Sequence, residues 1–303
     1  MKYTYEIVTD TAADIPWDAL FQEEITIVPM PMTLMSKPFV YNGLIYPADA
    51  CRYYRQLHEG ASSMTAQISP SAYRDVYEQV FQRDHDVLYI GFSSGMSGSY
   101  QNAVSAASEL GEEYPSHRVV CVDSLLATIA QTMLLLGAIA NRRQGMTLAQ
   151  NADYLTKAKH DISIYFIVED MSYLLRGGRI TKSQAFLSHA LHIRPLMRIT
   201  EAGVLSSVEK VRGANRILRT LADKAAEKYD SHRPLFFLGH CDAPDRANDL
   251  MDVLKSKHTN CDIWTFPVNP VIGCHTGPQM LALSCCRDPL AEKIRVVLTD
   301  AKE

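Results

Sequence analysis

Short runs of hydrophobic residues alternate with longer amphipathic stretches along the first half of the chain. A short apolar run predicts a buried strand, and apolar residues spaced three and four apart predict a helix. Strands are predicted at residues 5–8, 25–28, 87–90 and 118–122, a short amphipathic stretch from Pro16, and helices from Pro47 and at residues 71–82, 125–143 and 148–159. Strands separated by helices of this length indicate βαβ units and a mainly parallel sheet.

The pattern begins again at residues 162–168, which form a second continuous apolar run. A hairpin is predicted next, because residues 196–200 and 204–211 flank a short turn that contains Gly203. The elements predicted after it are a helix at 214–228, a strand at 235–238, a helix at 246–257 and a strand at 263–266. We therefore predict an α/β protein of two domains, residues 1–160 and 161–303, with mainly parallel or mixed sheets.

The composition is that of an ordinary globular protein. Of 303 residues, 47% are hydrophobic and 21% are charged, which excludes intrinsic disorder and fibrous architectures. The net charge of −4 does not favour a polyanion binder. The uncharged run at residues 124–141 is shorter than the ~20 apolar residues of a membrane span, so it predicts a buried helix and no stable membrane insertion.

The cysteines and the N-terminus favour a cytoplasmic protein. Seven cysteines are scattered singly, apart from Cys285 and Cys286, and no C-x-x-C spacing occurs. Residues 1–6 lack the apolar segment of a signal peptide. Free thiols in a reducing compartment are the expected result. The adjacent pair is interpreted as small apolar filling near a helix rather than as a redox site.

A loop rich in glycine and serine at residues 91–100 carries the first candidate chemistry. It follows a predicted strand and precedes a predicted helix, whose N-terminal N–H groups attract a carboxylate or a phosphate. Serine and glycine are equally common in helix caps and turns, so the loop alone fits both roles.

The same loop satisfies the G-x-S-x-G pattern of esterases, with Ser93 as nucleophile and Asp242 and His275 as later triad members. Two features oppose this alternative. A second glycine, Gly98, delays the helix that should follow the serine directly, and no His-Gly-Gly-Gly segment precedes the loop.

Two further loops carry polar groups. Residues 65–70 begin with Thr65 and end with Ser69 and Pro70, a sequence typical of a helix cap. Residues 269–278 place His275 between glycines and beside a threonine. Such a histidine can donate to an anion, although a lone histidine more often has a structural role.

Positive charge is concentrated in residues 176–219. Nine lysines and arginines stand there against Glu201 and Glu209, which makes the segment +7 and leaves −11 for the remainder. A solvated surface is the default explanation, but the surplus favours an anionic ligand or partner. Nucleic acid is not expected, because no reader motif or interleaved aromatic residues accompany the arginines. No metal-binding spacing and no nucleotide-binding loop is present.

Six segments together resemble the DegV family of bacterial fatty-acid-binding proteins. The first, at residues 9–16, reads Thr-Asp-Thr-Ala-Ala-Asp-Ile-Pro, and the third, at residues 93–103, begins Ser-Ser-Gly-Met-Ser-Gly. The other four are residues 65–70, 122–124, 176–180 and 273–278. Each segment is weakly specific, but six in the order of the family span nearly the whole chain.

The resemblance implies a protein that encloses one long-chain fatty acid between two α/β domains, with the acyl chain in an apolar tunnel. Carried over, the carboxylate ligands are Thr65 and Ser93 or Ser94, with His275 and Arg179 beside them. The family also implies a binding protein without a cofactor or activity of its own, which presents the acid to a separate fatty acid kinase for phospholipid synthesis.

The chain departs from the family pattern at several positions. Ala66 and Ile68 replace serine and proline, and Asn269, Gln279 and Arg194 also differ from the usual residues. These changes affect the expected geometry of the mouth and the acyl preference. A third alternative is a regulatory or scaffolding protein whose basic segment docks an acidic partner through Arg194, Arg212 and Arg216.

Overall fold

The computed structural model describes residues 3–15, 24–44, 46–182, 193–227, 229 and 232–300. The strands are β1 (Tyr5–Asp10), β2 (Ile25–Val28), β3 (Met32–Leu34), β4 (Lys37–Phe39), β5 (Ser63–Thr65), β6 (Asp86–Gly91), β7 (Val119–Asp123), β8 (Ile162–Ile167), β9 (Ile193–Ile199), β10 (Leu205–Arg212), β11 (Leu235–His240), β12 (Asp262–Pro267) and β13 (Leu281–Cys286). The helices are α1 (Pro47–His58), α2 (Pro70–Phe81), α3 (Ser99–Glu113), α4 (Thr128–Arg143), α5 (Leu148–Ala158), α6 (Ser172–Arg176), α7 (Ala214–Ala226), α8 (Pro244–Lys257), α9 (Pro270–Thr276) and α10 (Asp288–Asp300). The stretch predicted from Pro16 lies outside the described residues.

The first sheet is parallel, as the alternation of strands and helices predicts. Its order is β2-β1-β6-β7, and every neighbouring pair is parallel. The two central strands are buried along nearly their whole length. Helices cover both faces of a parallel sheet, so its central strands carry continuous apolar runs rather than alternating ones.

The second sheet is mixed and has six strands in the order β10-β9-β8-β13-β11-β12. The predicted hairpin is confirmed as β9 and β10, while β11 and β12 form a parallel pair. Strand β13 was not predicted, and it lies between β8 and β11, antiparallel to both. Cys285 and Cys286 are buried in that strand, which ends shortly before α10 begins.

Helix α4 is mostly apolar and is buried between other elements, as predicted for this run. Its residues from Thr128 to Arg142 are all buried, and it packs against β8, β11 and β13 as well as α10. A helix without a polar face is stable in water only when its surroundings cover it completely. No helix in the described ranges has the length and hydrophobicity needed to cross a bilayer.

The predicted domain boundary near residue 160 falls in a 3-10 turn, Lys159–Asp161, between the strands of the first and second sheets. One cluster of buried hydrophobic residues nevertheless includes side chains from both sheets, among them Ile7, Leu88, Ile164 and Phe237. Two separately folding domains therefore stay a prediction.

A small antiparallel sheet, in the order β4-β3-β5, was not predicted. Each of its strands has three residues, too few for an alternating pattern to be recognised. Its importance lies in Thr65, which ends β5 and pairs with Met32 across the sheet. The sheet thereby fixes the backbone of a predicted ligand residue.

Replacement of Leu135 in α4 by alanine should destabilise the protein by about 2–5 kcal/mol, because the side chain is fully buried and its removal leaves a cavity. Urea unfolding followed by circular dichroism measures this change. The matched control is Val296→Ala in α10, where the valine is 53% exposed and the expected change is within about 0.5 kcal/mol. Equal effects at both positions would contradict the central place of α4 in the core.

Candidate functional site

A narrow apolar cavity lies between the two large sheets, beside α9. The first half of the chain lines it with Met30, Phe92 and Met96, and β8 lines it with Ile164 and Phe166. The empty space is about 610 Å³, counting the part that opens to solvent. The residues that line this cavity are mostly apolar.

One part of the cavity wall is polar, and three predicted site residues meet there. Thr65, Arg179 and His275 all line the cavity. The hydroxyl oxygen of Thr65 lies 2.8 Å from Nε2 of His275, although 210 positions separate the two residues in the chain. Thr65 is held by the small sheet and His275 by α9, so two separate elements determine this distance.

His275 is neutral in this environment. Burial, together with the positive charges of Arg179 and Arg176, lowers its pKa to about 4. Its Nδ1 is buried and has no hydrogen-bond partner among the described residues. Gly177 packs directly on this atom, since a Cβ at Gly177 would lie 2.2 Å from it. When Nε2 carries the proton, the imidazole donates to Thr65 and leaves the hydroxyl proton of Thr65 for a ligand.

Arg179 brings a half-buried positive charge to the same wall. Its guanidinium donates to the carbonyl of Gly177, and loss of hydration lowers its pKa. Within the described part of the chain no carboxylate forms an ion pair with it. A partly desolvated cation of this kind is stabilised when an anion binds beside it.

Ser93 and Ser94 are not among the cavity-lining residues. The hydroxyl of Ser93 is buried and donates to the carbonyl of Gly203, at 2.7 Å, and it accepts from the N–H of Gly95. Ser94 is exposed, and its N–H donates to a carboxylate oxygen of Asp123. The serine loop therefore supports the turn between β9 and β10 in this conformation, and the structure groups only Thr65, His275 and Arg179.

The esterase geometry is not assembled. Nε2 of His275 pairs with Thr65 and its Nδ1 has no described partner, so Asp242 does not orient the imidazole. The proton of Ser93 goes to a backbone carbonyl instead of a base. Helix α3 begins only at Ser99, so the sharp turn from strand to helix is missing at the serine.

The remaining predicted residues lie on the surface or in caps. Arg194 forms an ion pair with Glu169, which also pairs with Arg246 at 3.2 Å. Arg212 ends β10 and Arg216 lies in the first turn of α7, and both are exposed. The expected cap of α2 is confirmed, since the Ser69 hydroxyl accepts from the N–H of Ala72.

A buried polar link fixes the position of α9, and we did not predict it. Asn269 caps the helix by accepting from the N–H of Ile272, and its amide donates to a carboxylate oxygen of Asp14 at 2.6 Å. Asp14 also accepts from the hydroxyl of Thr128, and burial raises its pKa to about 6. The signal in the sequence was Asn269 itself, because the family to which the resemblance points commonly has glycine here, and glycine has no side chain for either contact.

The comparisons with known proteins agree with these motifs. The family model of DegV, described as an uncharacterised protein family, matches residues 4–288. The chain belongs to the DegV family. A DegV domain-containing protein of Lactococcus lactis, YteA, is 28% identical over 280 residues, which cover 92% of this DegV chain and 96% of that one.

Solved structures of the family have the same fold. A DegV lipid-binding protein from Thermotoga maritima is 25% identical, with a TM-score of 0.81, and the match covers 93% of this DegV chain and 98% of that one. A DegV family protein from Thermus thermophilus, described by its fatty acid binding, gives 25% identity and a TM-score of 0.81 over 93% and 99% of the chains. The expected α/β fold with parallel and mixed sheets is thus confirmed.

The neutral state of His275 predicts a specific pH dependence of stability. The folded pKa of about 4 lies below the ordinary 6.5, so between these values the unfolded chain binds a proton that the folded protein excludes. The contribution of His275 is complete above about pH 6.5 and is lost as the pH falls towards 4. The free energy of unfolding of the wild type, minus that of His275→Gln, should rise between pH 4.5 and 7 in urea titrations.

Asp14 contributes to the pH dependence of stability with the opposite sign. Its contribution is the same in the wild type and in His275→Gln, so it cancels when their free energies of unfolding are subtracted. Its raised folded pKa makes the protein less stable as the pH rises from about 4 to 6. An Asp14→Asn background gives a control in which this contribution is removed. Parallel pH curves for the wild type and His275→Gln would show that the imidazole is accessible to water and ionises normally.

Proposed function

We propose that this protein binds one long-chain fatty acid, with its acyl chain in the apolar cavity and its carboxylate at Thr65, His275 and Arg179. The observation that carries the proposal is the meeting of a hydroxyl–imidazole pair with a guanidinium that forms no ion pair among the described residues, on one wall of a mostly apolar cavity. The descriptions of two family structures, as lipid-binding and as fatty-acid-binding proteins, support the same ligand class.

The energetics favour an acyl chain in the apolar cavity and a carboxylate at the polar residues. Burial of about 14 methylene groups at about 0.8 kcal/mol each gives roughly 11 kcal/mol of gross driving force. A carboxylate enters an apolar site only when donors replace its water, and a nearby cation offsets its desolvation. The hydroxyl of Thr65 is the uncharged donor in this proposal, and Arg179 is the cation.

Ser93 and Ser94 complete the head-group contact in this proposal. The loop of Ser93 follows β6 directly, and its neighbours Phe92 and Met96 already line the cavity. A hydroxyl donates a single proton, which Ser93 now gives to the carbonyl of Gly203. Ser93 therefore binds the carboxylate after the turn at Gly203 has released it.

The protein acts as a carrier rather than a catalyst in this proposal. It presents the bound acid to a separate fatty acid kinase, which supplies acyl phosphate for phospholipid synthesis in the cytoplasm. Arg194, Arg212 and Arg216 form the docking surface for that kinase. The seven free cysteines support a reducing compartment, and the exposed Arg212 and Arg216 support a charged contact with a partner.

Native mass spectrometry of the purified protein should show one bound ligand of fatty-acid mass. Thr65→Ala and Ser93→Ala should each weaken palmitate binding by about 1–3 kcal/mol, or roughly 5- to 150-fold, because a buried carboxylate loses a donor. Titration of delipidated protein measures the change, and Thr156→Ala on the exposed side of α5 is the control.

Three results would contradict parts of this proposal. Protein that carries no lipid and takes up neither palmitate nor oleate would contradict fatty acid binding. Unchanged affinity in both variants would leave the ligand class intact and remove the assigned residues. Labelling of Ser93 by a fluorophosphonate, with turnover of simple esters, would favour the hydrolase.

Charge reversal of Arg194, Arg212 and Arg216 to glutamate should abolish binding to a purified fatty acid kinase in biolayer interferometry and leave palmitate affinity unchanged. The double variant of Arg212 and Arg216 separates docking from the ion pair of Arg194 with Glu169. Lys255→Glu, an exposed change on α8, is the control. Loss of lipid in the triple variant would indicate that these arginines serve the cavity instead.

A further inference from the structure

A wedge-shaped cleft separates β8 from β9 at one end of the six-stranded sheet. Strand β8 pairs with β13 from Ile162 to Ile167, but its pairing with β9 covers only Tyr165 to Ile167. Strand β9 ends at Ile199, and residues 199–202 line the far side of the cleft. Residues 162–164 are at most 8% exposed, yet no strand in the described part of the chain pairs with them on the side of the cleft, so they form an open strand edge inside the sheet. The empty space is about 980 Å³, counting the part open to solvent.

Contacts on the opposite side keep the cleft open. The turn at residues 201–203 rests on the serine loop, where Ser93 donates to the carbonyl of Gly203. Gly95 lets the two backbones approach closely, since a Cβ there would lie 2.7 Å from that same carbonyl oxygen. These contacts hold the tip of the hairpin against the serine loop rather than against β8.

The cleft has a positive surplus. Lys159, His160 and Arg198 line it, and Glu201 is the one acidic side chain among its described lining residues. The ammonium group of Lys159 donates to the carbonyl of Asp123 at 2.8 Å, and burial lowers its pKa. Arg198 pairs with no carboxylate in the described ranges, and its backbone faces that of Tyr165 across the two strands.

We infer that this cleft binds an extended acidic segment of a partner protein. The segment adds as a strand along residues 162–164 and places an Asp or Glu side chain beside Arg198 and another beside Lys159. An open strand edge offers main-chain hydrogen bonds to an extended chain, and neighbouring cations select its side chains. At about 3.3 Å per residue, the open edge spans about 10 Å and suits three to four residues.

A phage-displayed library of random hexapeptides, selected on the immobilised full-length protein, tests this inference. Enriched sequences should carry acidic residues at alternating positions, because alternate side chains of a strand share one face. Binding of the corresponding synthetic peptides should fall at least tenfold in the double variant Lys159→Gln and Arg198→Gln. Lys210→Gln, on β10 outside the lining of the cleft, should bind like the wild type.

Amide hydrogen exchange on the wild type gives a readout that does not depend on any variant. The bound peptide should slow exchange within residues 162–164. Absence of enrichment, enrichment of neutral or basic sequences, or equal binding to the double variant would overturn the inference. Acidic peptides that bind without protecting residues 162–164 would overturn the proposed strand addition. Enriched peptides that compete with palmitate for one site would bind in the apolar cavity and not in the cleft, which would also overturn the inference.

Discussion

The hydrogen bond between Thr65 and His275 is the contact on which the geometry of the polar wall depends. It joins a three-residue strand to a short helix 210 positions away, and neither element is large enough to hold its own orientation. The link from Asn269 to Asp14 anchors the start of that helix to the loop after β1. Burial raises the pKa of Asp14, so the ionised carboxylate is held here at a cost in free energy. A buried hydrogen bond that costs free energy in this way is useful because it is directional, and here it fixes the start of the helix that carries His275.

Local patterns in the sequence predicted the elements whose burial is uniform. The strands around Ile7 and Leu88 and helix α4 carry apolar runs of the correct length, and the turn at Gly203 predicted the β9–β10 hairpin. Strand β13 has a run that mixes leucine, alanine, serine and cysteine, without β-branched residues or alternation, so its local preference is weak. The sheet order around it depends on contacts between segments more than 100 residues apart, which no local pattern contains.

In the candidate site, too, some features could be predicted from the sequence, while others depend on contacts between distant segments. The motifs placed Thr65, Arg179 and His275 near one another because the resemblance assigns them to one ligand, and the cavity includes all three. The direction of the Ser93 hydroxyl could not be predicted. A serine donates to whichever acceptor is within reach, and here a hairpin turn 110 positions later provides it. The pKa of His275 likewise depends on burial and on two arginines that only the folded chain brings together.

The hairpin of β9 and β10 connects the apolar cavity with the cleft beside β8. Ile199 and Leu205, at the ends of its strands, line the apolar cavity, while Arg198 and the turn line the cleft beside β8. The same turn takes the only proton of Ser93. If Ser93 binds a carboxylate, the turn loses this anchor, and the tip of the hairpin becomes free to approach the open edge of β8. A strand already bound in the cleft would oppose that approach, and by thermodynamic reciprocity the two ligands would then influence the affinity of each other.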